Sequence, residues 1–235
     1  ETMKSANRDP AVSSKYDKKI DKFIISEIEK NFPDHSYLTE ESGLIKKNKD
    51  FLWIVDPIDG TNNFLNKNPF FAVSIALWFK NKPLLGVIEA PHLKETYVAV
   101  KGKGSWLIKK KKEKAEVSLI KDLDKSYILF CDGHRAERKN MLKFLNDLYP
   151  KARSMRKLGS AAIESAWVGL GRAEAFIIPA GYIWDIGAGI LFVQEAGGRV
   201  LDFNLKPLDL KKVIGKKPFN TVMANKSLKL NKIRY

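Results

Sequence analysis

Cysteine and histidine are scarce in this chain: one and three in 235 residues. The single cysteine, Cys131, excludes an internal disulfide and any cysteine cage for zinc, and it suits a reducing compartment. The histidines, His35, His92 and His134, show no paired metal-ligand spacing. No apolar run approaches the roughly 20 residues that a membrane-spanning helix needs. The first residues, Glu1 to Lys4, show no signal-peptide core, so no membrane is expected and the cytoplasm is the expected compartment. The first residue is not Met, which leaves room for a missing N-terminal segment. Repeats, low-complexity tracts and Pro/Gly/Ser linkers are also missing, so nothing in composition divides the chain. Acids are outnumbered, 27 against 42 Lys and Arg, for a formal charge of +15. Such a field calls for an anionic partner. The lysines are spread thinly, without a basic stripe of interleaved aromatics or an RNA-binding motif, which argues against nucleic acid. The one dense block, Lys109 to Lys112, reads as a solvated turn.

What is present is 44% hydrophobic residues, enough for one sizeable core or two closely packed halves. From Lys15 to Asn31 the residues Tyr16, Ile20, Phe23, Ile24 and Ile28 recur at helical steps, and Asp17 lies near that stripe instead of opposite it. After an apolar run at residues 51–55, alternating segments to about residue 108 read as an antiparallel meander. From about residue 120 strands and helices alternate. The reading is a layered α/β (α+β) sandwich with halves at 1–120 and 121–235 that form one unit around a cleft. The aromatics Phe70, Phe71, Trp78 and Trp106 lie on strands and are assigned to the core.

Acids fall at the ends of these elements. Glu40 and Glu41 follow the run "SYL", Asp56 and Asp59 follow the 51–55 strand, and Asp185 opens the apolar helix "WDIGAGILFVQEAGG". Singly, each has a plain explanation, in a solvated loop or as a helix cap. Carboxylates that share one site repel, and a cation is the usual way for all to stay ionised. With sulfur and imidazole scarce, oxygen ligands point to Mg²⁺ or Mn²⁺. Gly60, Thr61 and Asn62 then offer backbone to a phosphate at a helix start, the arrangement for metal-assisted phosphate hydrolysis.

Three blocks, "TEES" at 39–42, "WIVDPIDGTNNF" at 53–64 and "WDIGAGILFVQEAGG" at 184–198, resemble the inositol monophosphatase superfamily, which includes fructose-1,6-bisphosphatases and nucleotide 3'-phosphatases. The resemblance extends over essentially the whole chain, although the family's N-terminal helix is missing or shortened here. It implies an αβαβα sandwich of two sheets. It implies two or three Mg²⁺ held by Glu40, Asp56, the carbonyl of Ile58, Asp59 and Asp185. Thr61 matches the residue that orients the attacking water together with Glu40 and a metal, and Asp17 matches an acid that hydrogen-bonds that threonine. Gly60 and Thr61 match phosphate-binding backbone. Gly159, Ser160 and Ala161 match a turn that contacts the sugar or polyol, alongside Asp59 and Asp185. The family mechanism is in-line attack by metal-bound water, and a homodimer is the implied assembly.

The pocket departs from the inositol-specific pattern. Ile178 stands where those enzymes carry a glutamate, and Gly133-His134-Arg135 replaces a serine-containing turn. An apolar residue accepts no hydroxyl proton, so inositol selectivity weakens. Arg135, Arg156 and Lys157 are candidates to face a second phosphate, or else ordinary surface charges. The expected substrates are fructose 1,6-bisphosphate and inositol 1-phosphate, with 3'-phosphoadenosine 5'-phosphate as the enzymatic alternative. A nucleic-acid or transcription-partner protein on the same scaffold is the alternative of another class.

Overall fold

The computed structural model describes residues 10–132, 138–215 and 217–230. Helix α1 (Pro10–Asn31) begins five residues before the periodicity suggests. Its buried stripe also differs from the expected one. Tyr16 and Phe23 are exposed, while Asp17, Asp21 and Ile28 are buried and Ile20 and Ile24 are half-buried. The helix is therefore turned to present two acids inward. One of them, Asp21, accepts a hydrogen bond from the Ser42 hydroxyl at 2.5 Å, tying α1 to the loop that carries Glu40 and Glu41.

The first sheet comprises β1 (His35–Thr39), β2 (Gly43–Ile45), β3 (Asn48–Asp59), β4 (Ala72–Phe79), β5 (Lys82–Ala90), β6 (Glu95–Val100), β7 (Gly104–Ile108) and β8 (Lys112–Lys114). Their order is β2-β1-β3-β4-β5-β6-β7-β8, antiparallel except for the β1·β3 pair. The lysine block folds as a turn leading into β8, and Lys109 pairs with the buried Glu95. Strict alternation settles the aromatics. Trp78 faces inward and is fully buried, and Phe70 packs partly against the same core. Trp106 and Phe71 are half-buried and outside both core clusters, because Leu107, next to Trp106, takes the inward position. Lys112 covers the Trp106 ring, 4.2 Å from its centroid.

The second sheet contains β9 (Tyr127–Phe130), β10 (Ser154–Arg156), β11 (Ala175–Gly181), β12 (Arg199–Leu201) and β13 (Phe219–Ala224), in the order β10-β9-β11-β13-β12. Strands β10, β9 and β11 run parallel; the other pairs are antiparallel. Helices α4 (Ala161–Gly169) and α5 (Ile183–Glu195) lie between the sheets, touching β4 and β5 on one side and β13 on the other. Gly86 allows this contact, since a Cβ there would stand 2.8 Å from the Ala188 carbonyl. Helix α3 (Arg138–Leu148) covers the far face of the second sheet through Met141, Phe144 and Leu148. With α1 outside the first sheet, the layers are αβαβα. Among the described residues no helix is long and apolar enough to cross a membrane.

Candidate active site

Strand β3 is made to stop being a strand where its acids lie. Pro57 has no N–H to give a ladder, and the pairing with β4 shifts between Asp56 and Asp59, a bulge that turns both side chains inward. Asp56 and Asp59 are buried, at 2% and 6% exposure. Gly60 follows with φ 85°, and α2 (Thr61–Leu65) starts at once. A Cβ at Gly60 would lie 2.8 Å from the Phe70 carbonyl and 3.0 Å from that of Gly159, so only glycine fits both the space and the dihedral. Gly60→Ala is expected to destabilise the protein by about 2 kcal/mol or more, read from urea melts. An unchanged midpoint would contradict the close approach.

A cleft of about 480 Å³ opens here, lined by Glu40, Asp56, Ile58, Asp59, Asp185, residues 60–63, Cys131, residues 157–159, Ala161 and Glu164. Four acids from distant segments therefore share one cavity: Glu40 after β1, Asp56 and Asp59 on β3, and Asp185 in the first turn of α5. Asp17 on α1 is buried, and its charge helps to raise Glu40. Burial, then the charges of Asp59, Glu40 and Asp185, pushes the Asp56 carboxyl well above its ordinary range. Burial followed by Asp59 raises Asp185 to about 8. Glu40 keeps part of its surface in water, yet its carboxyl end is desolvated; that, with Asp17, Glu41 and Asp59, raises it to about 7. The neighbouring Asp56 carboxyl acts the other way on Glu40 and offsets part of that rise.

Each acid is also held by protein donors. Asp56 Oδ1 accepts from the Ile58 N–H (3.0 Å), and Asp185 Oδ2 from the Tyr182 N–H (2.9 Å). Asp59 has the most donors. Its carboxylate accepts from the Ser160 hydroxyl and from the amides of Ala161 (3.1 Å) and Ala162 (2.9 Å). It thereby caps α4 from another sheet, and those bonds pull it back to about 6 against the burial that raises it. The Thr61 hydroxyl donates to the Ile58 carbonyl at 2.9 Å.

Among the described residues, no three His, Cys, Asp or Glu side chains already stand as a ready-made metal ligand set. The donor chemistry nonetheless fits a hard divalent cation. The oxygens are carboxylates and one carbonyl, they line one cavity, and they raise one another's affinity for protons in the way a cation would relieve.

Of the remaining residues from the sequence reading, Gly159, Ser160 and Ala161 form the turn into α4 beside Asp59. Lys157 lines the cleft. Arg156 is exposed, is not among the lining residues, and donates to the Met155 carbonyl. Ile178 is buried in the core between the sheets. Arg135, with Gly133 and His134, lies outside the described residues. Two residues escaped the sequence reading. Glu164, 1% exposed, accepts from the Leu158 N–H at 2.7 Å. The Asn63 amide donates to the carbonyls of Phe70 (2.6 Å) and Leu158 (2.8 Å). Together they clamp the 158–160 turn against the 59–63 loop. An acid inside the apolar helix "AAIESAWVG" was the available signal for Glu164.

A family model, the inositol monophosphatase family, matches residues 1–228. The chain belongs to the inositol monophosphatase family. Relatives include Nus factor SuhB of Pasteurella multocida, 36% identical over 206 residues, 86% of this chain and 75% of that protein. A fructose-1,6-bisphosphatase/inositol-1-monophosphatase of Thermotoga maritima is 38% identical over 196 residues, 83% of this chain and 73% of that one. A solved inositol monophosphatase structure, also from Thermotoga maritima, superposes with a TM-score of 0.78 at 35% identity, covering 89% of this chain and 76% of the other. Members of the inositol monophosphatase family are generally Mg²⁺-dependent. Family and relatives together support a phosphatase.

Proposed function

We propose that this inositol monophosphatase family member is a Mg²⁺-dependent phosphomonoesterase. Its substrates are small phosphorylated sugars and polyols, with inositol 1-phosphate and fructose 1,6-bisphosphate foremost. The observation that carries this reading is the single cleft shared by Glu40, Asp56, Asp59 and Asp185 next to Gly60-Thr61-Asn62. Residues that would hold the divalent ions are those four acids and the Ile58 carbonyl. When bound, such ions neutralise the acids and offset the charge on the phosphoryl oxygens.

The chain's own groups do the rest. The first amides of the short helix α2 lack intrahelical partners and suit a phosphate oxygen. The Thr61 hydroxyl, its own proton on the Ile58 carbonyl, offers its oxygen to the attacking water and orients it, Glu40 takes up the water's proton, and Asp17 sets the charge around Glu40. Water adds to phosphorus, the P–O ester bond breaks, and the alcohol leaves with a proton, giving inorganic phosphate. The same proposal carries a homodimer and a cytoplasmic site of action.

Phosphate release from inositol 1-phosphate, fructose 1,6-bisphosphate and 3'-phosphoadenosine 5'-phosphate, with and without Mg²⁺, tests the reading. We expect Mg²⁺-dependent turnover of at least one of the first two above that of p-nitrophenyl phosphate. Faster turnover of the nucleotide makes this a nucleotide phosphatase instead. A second reading, a transcription partner, draws on the Nus factor name of one relative and on the +15 charge. RNA migration retarded at physiological salt, together with no phosphatase activity, would put that reading first.

A further inference from the structure

Lys157 is the only cation among the described residues that line the cleft. It leaves β10 just as Cys131 and Asp132 leave β9. Because those strands are parallel neighbours, with Arg156 opposite Leu129, both chains exit at the same end and their next side chains stand together. The Lys157 ammonium donates to Asp132 Oδ2 at 2.5 Å, with the two side chains 43% and 33% exposed. Lys157 is therefore already neutralised where the cavity meets the second sheet. Arg156, the other described base of this turn, is exposed, donates from Nη1 to the Met155 carbonyl and does not line the cavity.

We propose that Lys157 determines specificity, with Asp132 held on its ammonium but outside the cleft lining: the lysine donates to a hydroxyl of the substrate's alcohol portion and, being already paired, disfavours a second phosphate. The inference rests on the phosphomonoesterase reading and narrows it to monophosphorylated polyols. An ammonium has three N–H donors, so Lys157 can keep one on Asp132 and give another to a neutral hydroxyl without breaking the pair. A phosphate is itself an anion, and at the Lys157 ammonium it would come close to the Asp132 carboxylate already bound there. To bind, it must draw Lys157 away from Asp132 and leave two like charges side by side. This also changes what the sequence suggested: a lysine that looks ready for a second phosphate is held by an acid 25 residues earlier in the chain.

The test compares kcat/KM for inositol 1-phosphate and fructose 1,6-bisphosphate, with Mg²⁺, in the wild-type full chain and in Asp132→Asn and Lys157→Gln. Wild type is expected to favour the monophosphate. Asp132→Asn frees the ammonium and is expected to shift the ratio about fivefold to tenfold toward the bisphosphate, mainly through KM. Lys157→Gln removes the cation and gives no shift toward the bisphosphate. Asp132→Ala, which has no side chain able to hold Lys157, is expected to give the same shift toward the bisphosphate even if the asparagine keeps a contact to the ammonium. A ratio unchanged in both Asp132 variants, or a wild type that already favours the bisphosphate, overturns the pair's role while leaving the phosphatase reading in place. Failure of wild type to hydrolyse either sugar phosphate faster than p-nitrophenyl phosphate overturns the reading of the site, and the pair's role with it.

Discussion

Asp56→Asn is expected to remove turnover, by on the order of a thousandfold or more in kcat, while the metal-free protein becomes more stable than wild type. The two effects have one cause. Asp56 is 2% exposed, and burial followed by Asp59, Glu40 and Asp185 disfavours its ionised form. Asparagine keeps the shape and the oxygen that accepts from the Ile58 amide, but removes the charge that the cluster repels. It also removes a hard-cation ligand, so activity is lost as strain is relieved, the usual opposition between a charged site and a stable fold. Phosphate release and thermal melts in a chelator measure the two sides. Near-normal turnover would refute the role of Asp56, and a lower melting temperature would make it an ordinary structural acid.

The second large effect is on pH. Burial is the leading cause that raises Asp185 to about 8, Glu40 to about 7 and Asp59 to about 6, the last in spite of hydrogen bonds from Ser160, Ala162 and Ala161. In an unfolded chain such acids titrate near ~4. Between roughly pH 4 and pH 8 the folded protein therefore binds more protons than the unfolded one, and stability without metal falls as pH rises through that window. Glu40, the most solvated of the three, contributes least. A divalent cation binds the ionised carboxylates of the folded state only, and so acts in the opposite direction. In a chelator, melting at pH 5 should exceed that at pH 8.5 by about 5 °C or more, and saturating Mg²⁺ should shrink or reverse the gap. A flat profile that Mg²⁺ does not move would mean that the acids do not share a site.

Much of this was legible because local patterns agreed with the tertiary fold. The apolar helix after Asp185 and the meander from β4 to β7 carry unambiguous periods, and the acids announce themselves by lying at element ends. The chain does less well where a short element or a distant partner decides. Strands β2 and β8 have three residues each, too few to show a period. In α1 the helical period was read correctly, but its buried face was not. Tyr16 and Phe23 look like core by hydropathy, whereas packing turns Asp17 and Asp21 inward. Asp59 shows the same limit at the site. Its fit to a metal is readable from the motif, while its capping of α4 depends on Ser160, Ala161 and Ala162, about a hundred residues later. Glu164 and Asn63 escaped because their partners are backbone groups, whose positions no residue identity reveals.

The most direct measurement is a titration of the chelator-stripped protein with Mn²⁺ at pH 8 in the presence of inorganic phosphate, following free ion by electron paramagnetic resonance. Wild type is expected to take up Mn²⁺ saturably, with the ion displaced by Mg²⁺ and its binding lost or reduced in Asp56→Asn. Wild type that leaves the Mn²⁺ signal free at millimolar concentration, or an Asp56→Asn protein that binds as wild type does, would contradict it.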